Sequence, residues 1–183
     1  METTNFAKYL SSFFVKYLPG ERNVSHNTIL AYKDTFVQFV TFMKEQKSIG
    51  VQKLTLEKIT KETVIDFLDW LQQSRHCSNA TRNNRLAAIR SFLNYLQYEN
   101  PERLFEWQKI ISIKVKQHQK KSINYLTTDG IKLLLEQPDI STHNGRRNLA
   151  LLALMYDSGA RVQEMIDLTP SSIRLDSPNL VKL

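Results

Sequence analysis

At 183 residues with 42% hydrophobic content, the chain has room for one or two small domains with cores of their own. No apolar run nears the roughly 20 residues that span a membrane, and the opening METTNFAKYL has no basic stretch followed by an apolar one, so neither a membrane span nor a secretory leader is expected. The single cysteine, Cys77, allows no internal disulfide and fits a reducing, cytoplasmic setting, while a formal charge of +7 points to a polyanionic partner.

Helical periodicity runs through the first 112 residues. Thr4 to Leu18 carries an apolar stripe (Phe6, Leu10, Phe13, Phe14, Tyr17, Leu18) that Pro19–Gly20 is expected to stop. Ser25 can cap a second helix with Ile29, Tyr32, Phe36, Val40 and Met43 on one face. KSIGVQKLTLEK reads as a connection, and Thr60 opens a third helix. Ser78 opens a fourth that runs to about Glu99, and Asn100-Pro101-Glu102 starts a shorter fifth, with proline at the first helical position. These four to five helices predict a compact domain over 1–112. Residues 113–125 carry Lys114, Lys116, Lys120 and Lys121 without an apolar period and read as a basic interdomain linker. The chain restarts with a capped helix from Thr128, a more apolar one through RRNLALLALMYDS, a short one in RVQEMIDL and a strand in NLVKL. That strand has no expected partner, so the second unit, 126–183, reads as incomplete.

The positive charge is concentrated. From Arg75 to Lys121 ten lysines and arginines face three glutamates, whereas from Ser122 onward six basic residues meet seven acids. A basic block beside a neutral one favours nucleic acid. The fourth helix sharpens this. Ser78, Thr81, Arg82 and Arg85 share one face, which further along becomes Ile89, Phe92, Leu93 and Leu96. The expected geometry seats the apolar half in a core and lets the polar half project toward a DNA groove. There the helix N-terminus favours phosphate, and Arg82, Asn83 and Arg85 suit base edges. The lysines of 113–125 would track the sugar–phosphate backbone. His76 beside Cys77 has no further histidine at ligand spacing, so no metal site is expected.

Four segments, in order, resemble the tyrosine recombinases, the family of phage and transposon integrases and their chromosome-resolving relatives. SHNTILAYKDTFVQFVTFM is similar to the opening helix of the family's core-binding domain, with Ser25, Thr28 and Tyr32 in its Ser-x-x-Thr-x-x-x-Tyr pattern. NATRNNRLAAIRSFLNYL is similar to its later DNA-contacting helix, ending in an Ile-Arg pair at Ile89–Arg90. YLTTDGIKLLLE resembles the first helix of the catalytic domain. GRRNLALLALMYDSGARVQEMIDLTPSSI resembles the most diagnostic early motif, Tyr-x-(Ser/Thr)-Gly-x-Arg-x-x-Glu-hydrophobic-x-x-Leu.

The resemblance implies a mainly α protein. A SAM-like core-binding bundle would be followed by an incomplete, mostly helical α+β catalytic domain. It puts Thr28, Tyr32, Lys33 and Arg90 on DNA along with the residues above. It makes Arg161 the first catalytic arginine and Glu164 its supporting acid. The implied function is site-specific recombination, cleaving and rejoining DNA through a phosphotyrosyl link. That link preserves the bond energy, so no metal or cofactor is expected. The implied partners are an inverted-repeat duplex and further copies assembled as a dimer or tetramer on it. Gly130 and Ala160 depart from the family's usual acid and bulkier residue. The seven tyrosines (Tyr9, Tyr17, Tyr32, Tyr95, Tyr98, Tyr125, Tyr156) do not stand in the nucleophile's context, so this stretch is expected to be inactive alone. The alternatives are a DNA-binding regulator or decoy without chemistry, and a helical interaction module.

Overall fold

The computed structural model describes residues 3–117 and 124–182, in two compact units, Met1–Lys120 and Lys121–Leu183. In the first unit, helix α1 (Asn5–Ser12) begins where Thr4 accepts a bond from the Ala7 amide. It runs on into a wide π-helical segment, Phe13–Glu21. The stop expected at Pro19–Gly20 is not observed: both residues lie inside that segment, which closes with the Arg22 amide on the Tyr17 carbonyl five residues back. Proline breaks an α-helix because its ring meets the carbonyl four residues earlier. The wider turn opens that spacing, and the complete burial of Phe13 and Leu18 holds it in place.

Helices α2 (His26–Lys47), α3 (Lys61–Gln73) and α4 (Asn79–Glu99) start at the expected hydroxyls. Ser25, Thr60 and Ser78 accept bonds from the amides of Thr28, Thr63 and Thr81 at 3.4, 3.2 and 3.2 Å. A 3₁₀ turn at Pro101–Arg103 leads into α5 (Leu104–Ile111). Phe13, Phe36 and Phe92 pack edge to face, with centroids 5.2 to 6.4 Å apart. Phe39, Phe42, Phe67 and Trp70 continue the core, and Trp107 is wholly buried. The stretch read as a connection contributes to it as well. Its 3₁₀ turns, Val51–Lys53 and Leu56–Lys58, put Leu54 and Leu56 fully inside.

In the second unit, α6 (Thr128–Glu136) is capped by Thr127 and α7 (His143–Ser158) by Thr142. Gly145 is required in α7's first turn, since a Cβ there would lie 1.7 Å from the Asp139 carbonyl oxygen. Gly159 closes α7 in the left-handed region at φ 66°, and α8 (Val162–Ile166) follows. The strand expected in NLVKL is paired, not open. β2 (Leu180–Val181) lies antiparallel to β1 (Ile173–Arg174), with Ile173 opposite Val181. The sequence reading missed β1 because two residues carry no period. Among the described residues of this unit only Gly145 and Met165 are buried, while Leu133, Ile140, Val162 and Ile166 are exposed. The fold is therefore mainly helical, a bundle followed by a largely helical unit with one small hairpin. No described helix is long and apolar enough to cross a membrane.

Candidate nucleic-acid interface

The first turns of α2 and α4 flank a cleft of about 420 Å³, lined among others by Asn27, Thr28, Tyr32, Asn84 and Arg85. Helix phase decides what reaches it. Arg82 precedes Leu86, Ile89, Leu93 and Leu96 along α4 at core spacing, and all four are buried. Arg82 follows them inward and is 4% exposed. Its NH1 makes one long bond to Asn83 Oδ1, at 3.5 Å. Burial pulls its pKa down, and the nearby Asp69 carboxylate pulls it back up. The projecting helix end expected from the sequence is thus corrected: burial reaches the first turn of α4, and Arg82 cannot enter a groove without leaving the core.

Arg85 is in the cleft but engaged. Its NH1 donates to the Ala31 carbonyl and to Thr35 Oγ1, both at 3.2 Å, and its NH2 pairs with Asp34. The buried Thr35 hydroxyl in turn donates to the Ala31 carbonyl at 2.9 Å. The guanidinium buckles α4 to α2.

Asn83 is committed elsewhere. Its Nδ2 donates to the Lys116 carbonyl at 2.7 Å, and its Oδ1 accepts from the Lys116 amide at 3.0 Å. Asn79 accepts from Gln72 and donates to the Gln117 carbonyl, each at 2.8 Å. Arg90 donates to the Ile113 carbonyl. Lys116 Nζ donates to Gln72 Oε1 at 2.6 Å and stands 3.9 Å from Asp69. Residues 113–117, read from sequence as the start of the basic interdomain linker, are pinned along α4. Lys114 is exposed, and Lys120 and Lys121 lie outside the described residues.

The remaining expected residues sit as follows. Thr28 and Tyr32 line the cleft, with the Thr28 hydroxyl 3.0 Å from that of Ser25. Ser78 and Thr81 share a hydroxyl pair at 3.1 Å at the start of α4. Exposed Lys33 lies on a different hollow, with Leu10, Phe14 and Val37. Sequence reasoning missed Asn27, Asn84 and Asp34. The signal for Asn84 was present: it is one residue further round from Asn83, off the stripe that carries Leu86 and Ile89.

In the second unit, Arg161 is the N-cap residue of α8, in extended conformation just past the Gly159 turn. Its side chain is 85% exposed. Glu164 brackets it, accepting from the Arg161 amide at 2.7 Å and from NH1 at 2.8 Å. Those backbone and side-chain bonds, with the guanidinium charge, hold the Glu164 carboxyl below its ordinary value. Such an arrangement fixes the direction of a guanidinium that stays open to an anion.

Comparison with known proteins gives these sites a setting. Residues 12–100 match the phage integrase N-terminal SAM-like domain. The chain is 35% identical over 164 residues to a Sinorhizobium fredii protein named "Putative integrase/recombinase y4rC", covering 90% of this chain and 49% of that one. It is 31% identical to the tyrosine recombinase XerD of Rickettsia bellii, covering 88% and 50%. To the tyrosine recombinase XerC of Bacillus subtilis it is 30% identical, covering 93% and 52%. The chain thus spans about half the length of these relatives.

Proposed function

The chain belongs to the phage integrase family of tyrosine recombinases, and from that premise we propose that its first unit holds duplex DNA while Arg161 clamps the phosphate at which strands are cut and rejoined. The single observation that carries the reading beyond the family is the open, bracketed Arg161.

Phosphodiester transfer gathers negative charge on the non-bridging oxygens. A planar guanidinium meets two such oxygens at once, and a donor already aimed costs no reorganisation when that charge develops. Glu164 uses one oxygen on the Arg161 backbone and the other on NH1, which leaves NH2 and Nε for the phosphate. Glu164 is a positioning residue in this scheme. The recombination site would be an inverted repeat read by several copies on DNA, and the attacking tyrosine is not one of the seven in these 183 residues. These 183 residues by themselves bind duplex DNA and form no covalent adduct. A suicide substrate, nicked so that a cleaved strand cannot religate, tests this. Binding without adduct is expected, and accumulation of a protein–DNA adduct would show that one of these tyrosines is the nucleophile.

A further inference from the structure

The cleft between α2 and α4 has only a few groups free to read a base. Resting on the DNA-binding function proposed above, we infer that Asn84, assisted by Asn27 across the cleft, is the base-reading residue of this unit, and that Arg85 is its scaffold.

The inference follows from hydrogen-bond capacity. An arginine reads guanine by presenting two parallel N–H groups. Both NH1 hydrogens of Arg85 are spent on Ala31 and Thr35, and one on NH2 is spent on Asp34. The Arg85 Nε is buried and cannot serve as the second N–H, so a fork for DNA would have to come from these bonds, breaking α4 from α2 and unpairing the Asp34 carboxylate. Arg82 is inside the core. Asn79 and Asn83 have given their amides to the backbone of Gln117 and Lys116. Across the first two turns of α4, Asn84 is the amide with no hydrogen-bond partner among the described residues, and it is exposed on the cleft. Asn27 is likewise exposed there, without a side-chain partner among the described residues. A carboxamide is self-complementary to the N6 and N7 edge of adenine, donating one bond and accepting the other. Ala87, one turn beyond Asn84 and also lining the cleft, presents a methyl that fits the methyl of thymine. The cleft therefore suits an A·T step approached from the major groove, with Arg85 and Asp34 holding the two helices at a fixed spacing.

The test selects a randomised duplex library on the unmodified 183-residue chain, then measures affinity for the selected and the random DNA. Asn84→Ala should lose the preference for adenine at one position. The ratio of random to selected Kd should fall at least fivefold, the lower end of what a good bidentate pair confers. Its affinity for random DNA should stay within about twofold, and its melting temperature should not change. Arg85→Lys keeps the charge but loses the fork, so it should melt earlier and select the same motif. The assignment is overturned if Asn84→Ala selects the unmodified motif with an undiminished ratio. It is equally overturned if Arg85→Lys erases the motif while melting normally. If the unmodified chain shows no salt-sensitive binding to any duplex, the DNA-binding reading falls first and takes this assignment with it. A motif selected normally but indifferent to Asn84 strikes at the assignment alone.

Discussion

Arg161 remains open to a ligand because its partner sits on one side of it. Glu164 occupies the backbone amide and NH1, yet the arginine side chain stays 85% exposed. Lysine in its place would keep the charge and lose the second N–H that a planar fork offers. In any cleavage-competent form of this protein, Arg161→Lys should slow strand cleavage by about 10²–10³, the usual cost of removing one preorganised donor. DNA affinity and melting temperature should be unchanged. Near-normal cleavage would make Arg161 an ordinary surface residue, and lost stability would make it a packing one.

Glu164 gives a second check at the same scale. Its folded pKa lies below the ordinary carboxyl value of 4.5, because its bonds to the Arg161 amide and guanidinium favour the charged form. A depressed folded value means that this bracket is fully present above the unfolded carboxyl range and is lost as pH falls through the lowered folded value. A carbon-detected NMR titration should find Glu164 below the ordinary carboxyl value, and Arg161→Ala should raise it. A Glu164 that Arg161→Ala leaves unmoved would mean that the bracket does not form in solution. The Arg161–Glu164 pair was legible in sequence because both partners lie within one turn. The settings of Arg82 and Arg85 were not, since Arg82 is buried by tertiary packing and the partners of Arg85 come from α2, which no local pattern encodes.

At the scale of elements, α4 joins three jobs along 21 residues: its inner stripe fills the core, its cleft side meets α2, and its Asn79, Asn83 and Arg90 pin residues 113–117. The pinning fixes where the chain leaves this unit. Asn83→Ala removes the reciprocal pair to Lys116 and should speed tryptic cleavage after Lys114 and Lys116 with little change in melting temperature, since no apolar contact is lost. Unchanged cleavage would mean that the remaining bonds suffice. Helix starts were readable here, because Ser25, Thr60 and Ser78 announce them chemically. The run through Pro19–Gly20 was not. Phe13, packed on Phe36 and Phe92, and the fully buried Leu18 override a local break signal that is reliable only where no such packing opposes it. The connection over 47–58 links α2 to α3 as expected, but its part in the core was not legible, because Leu54 and Leu56 are buried by tertiary contact rather than by a helical period.

Across the whole chain, burial is uneven. Twenty-four of the core residues form one cluster in the first unit, whereas the described part of the second buries Gly145 and Met165. Local opening is easiest where few apolar contacts resist it. Hydrogen exchange on this chain should therefore find α6 and α7 amides far less protected than those of α3 and α4. Phe92→Ala, which empties a site shared with Phe6, Phe13 and Phe36, should destabilise the first unit by about 3–5 kcal/mol. Equal protection in both units would contradict the uneven core. The mainly helical character was legible from periodicity, because a period is a sum over many residues. The β1–β2 pairing was not, since two residues per strand give no sum to read.

Every role proposed for this chain requires that it grip DNA, and a salt titration of duplex binding measures that grip. Neutralising phosphates releases counterions, so log Kd should rise with log salt by roughly 0.9 per phosphate contacted. Four or more contacts from the basic 75–121 segment predict a slope of about 3.5 or steeper, with Arg161→Lys leaving it in place. A flat titration, or no binding to any duplex at low salt, would mean that the basic segment does not hold DNA.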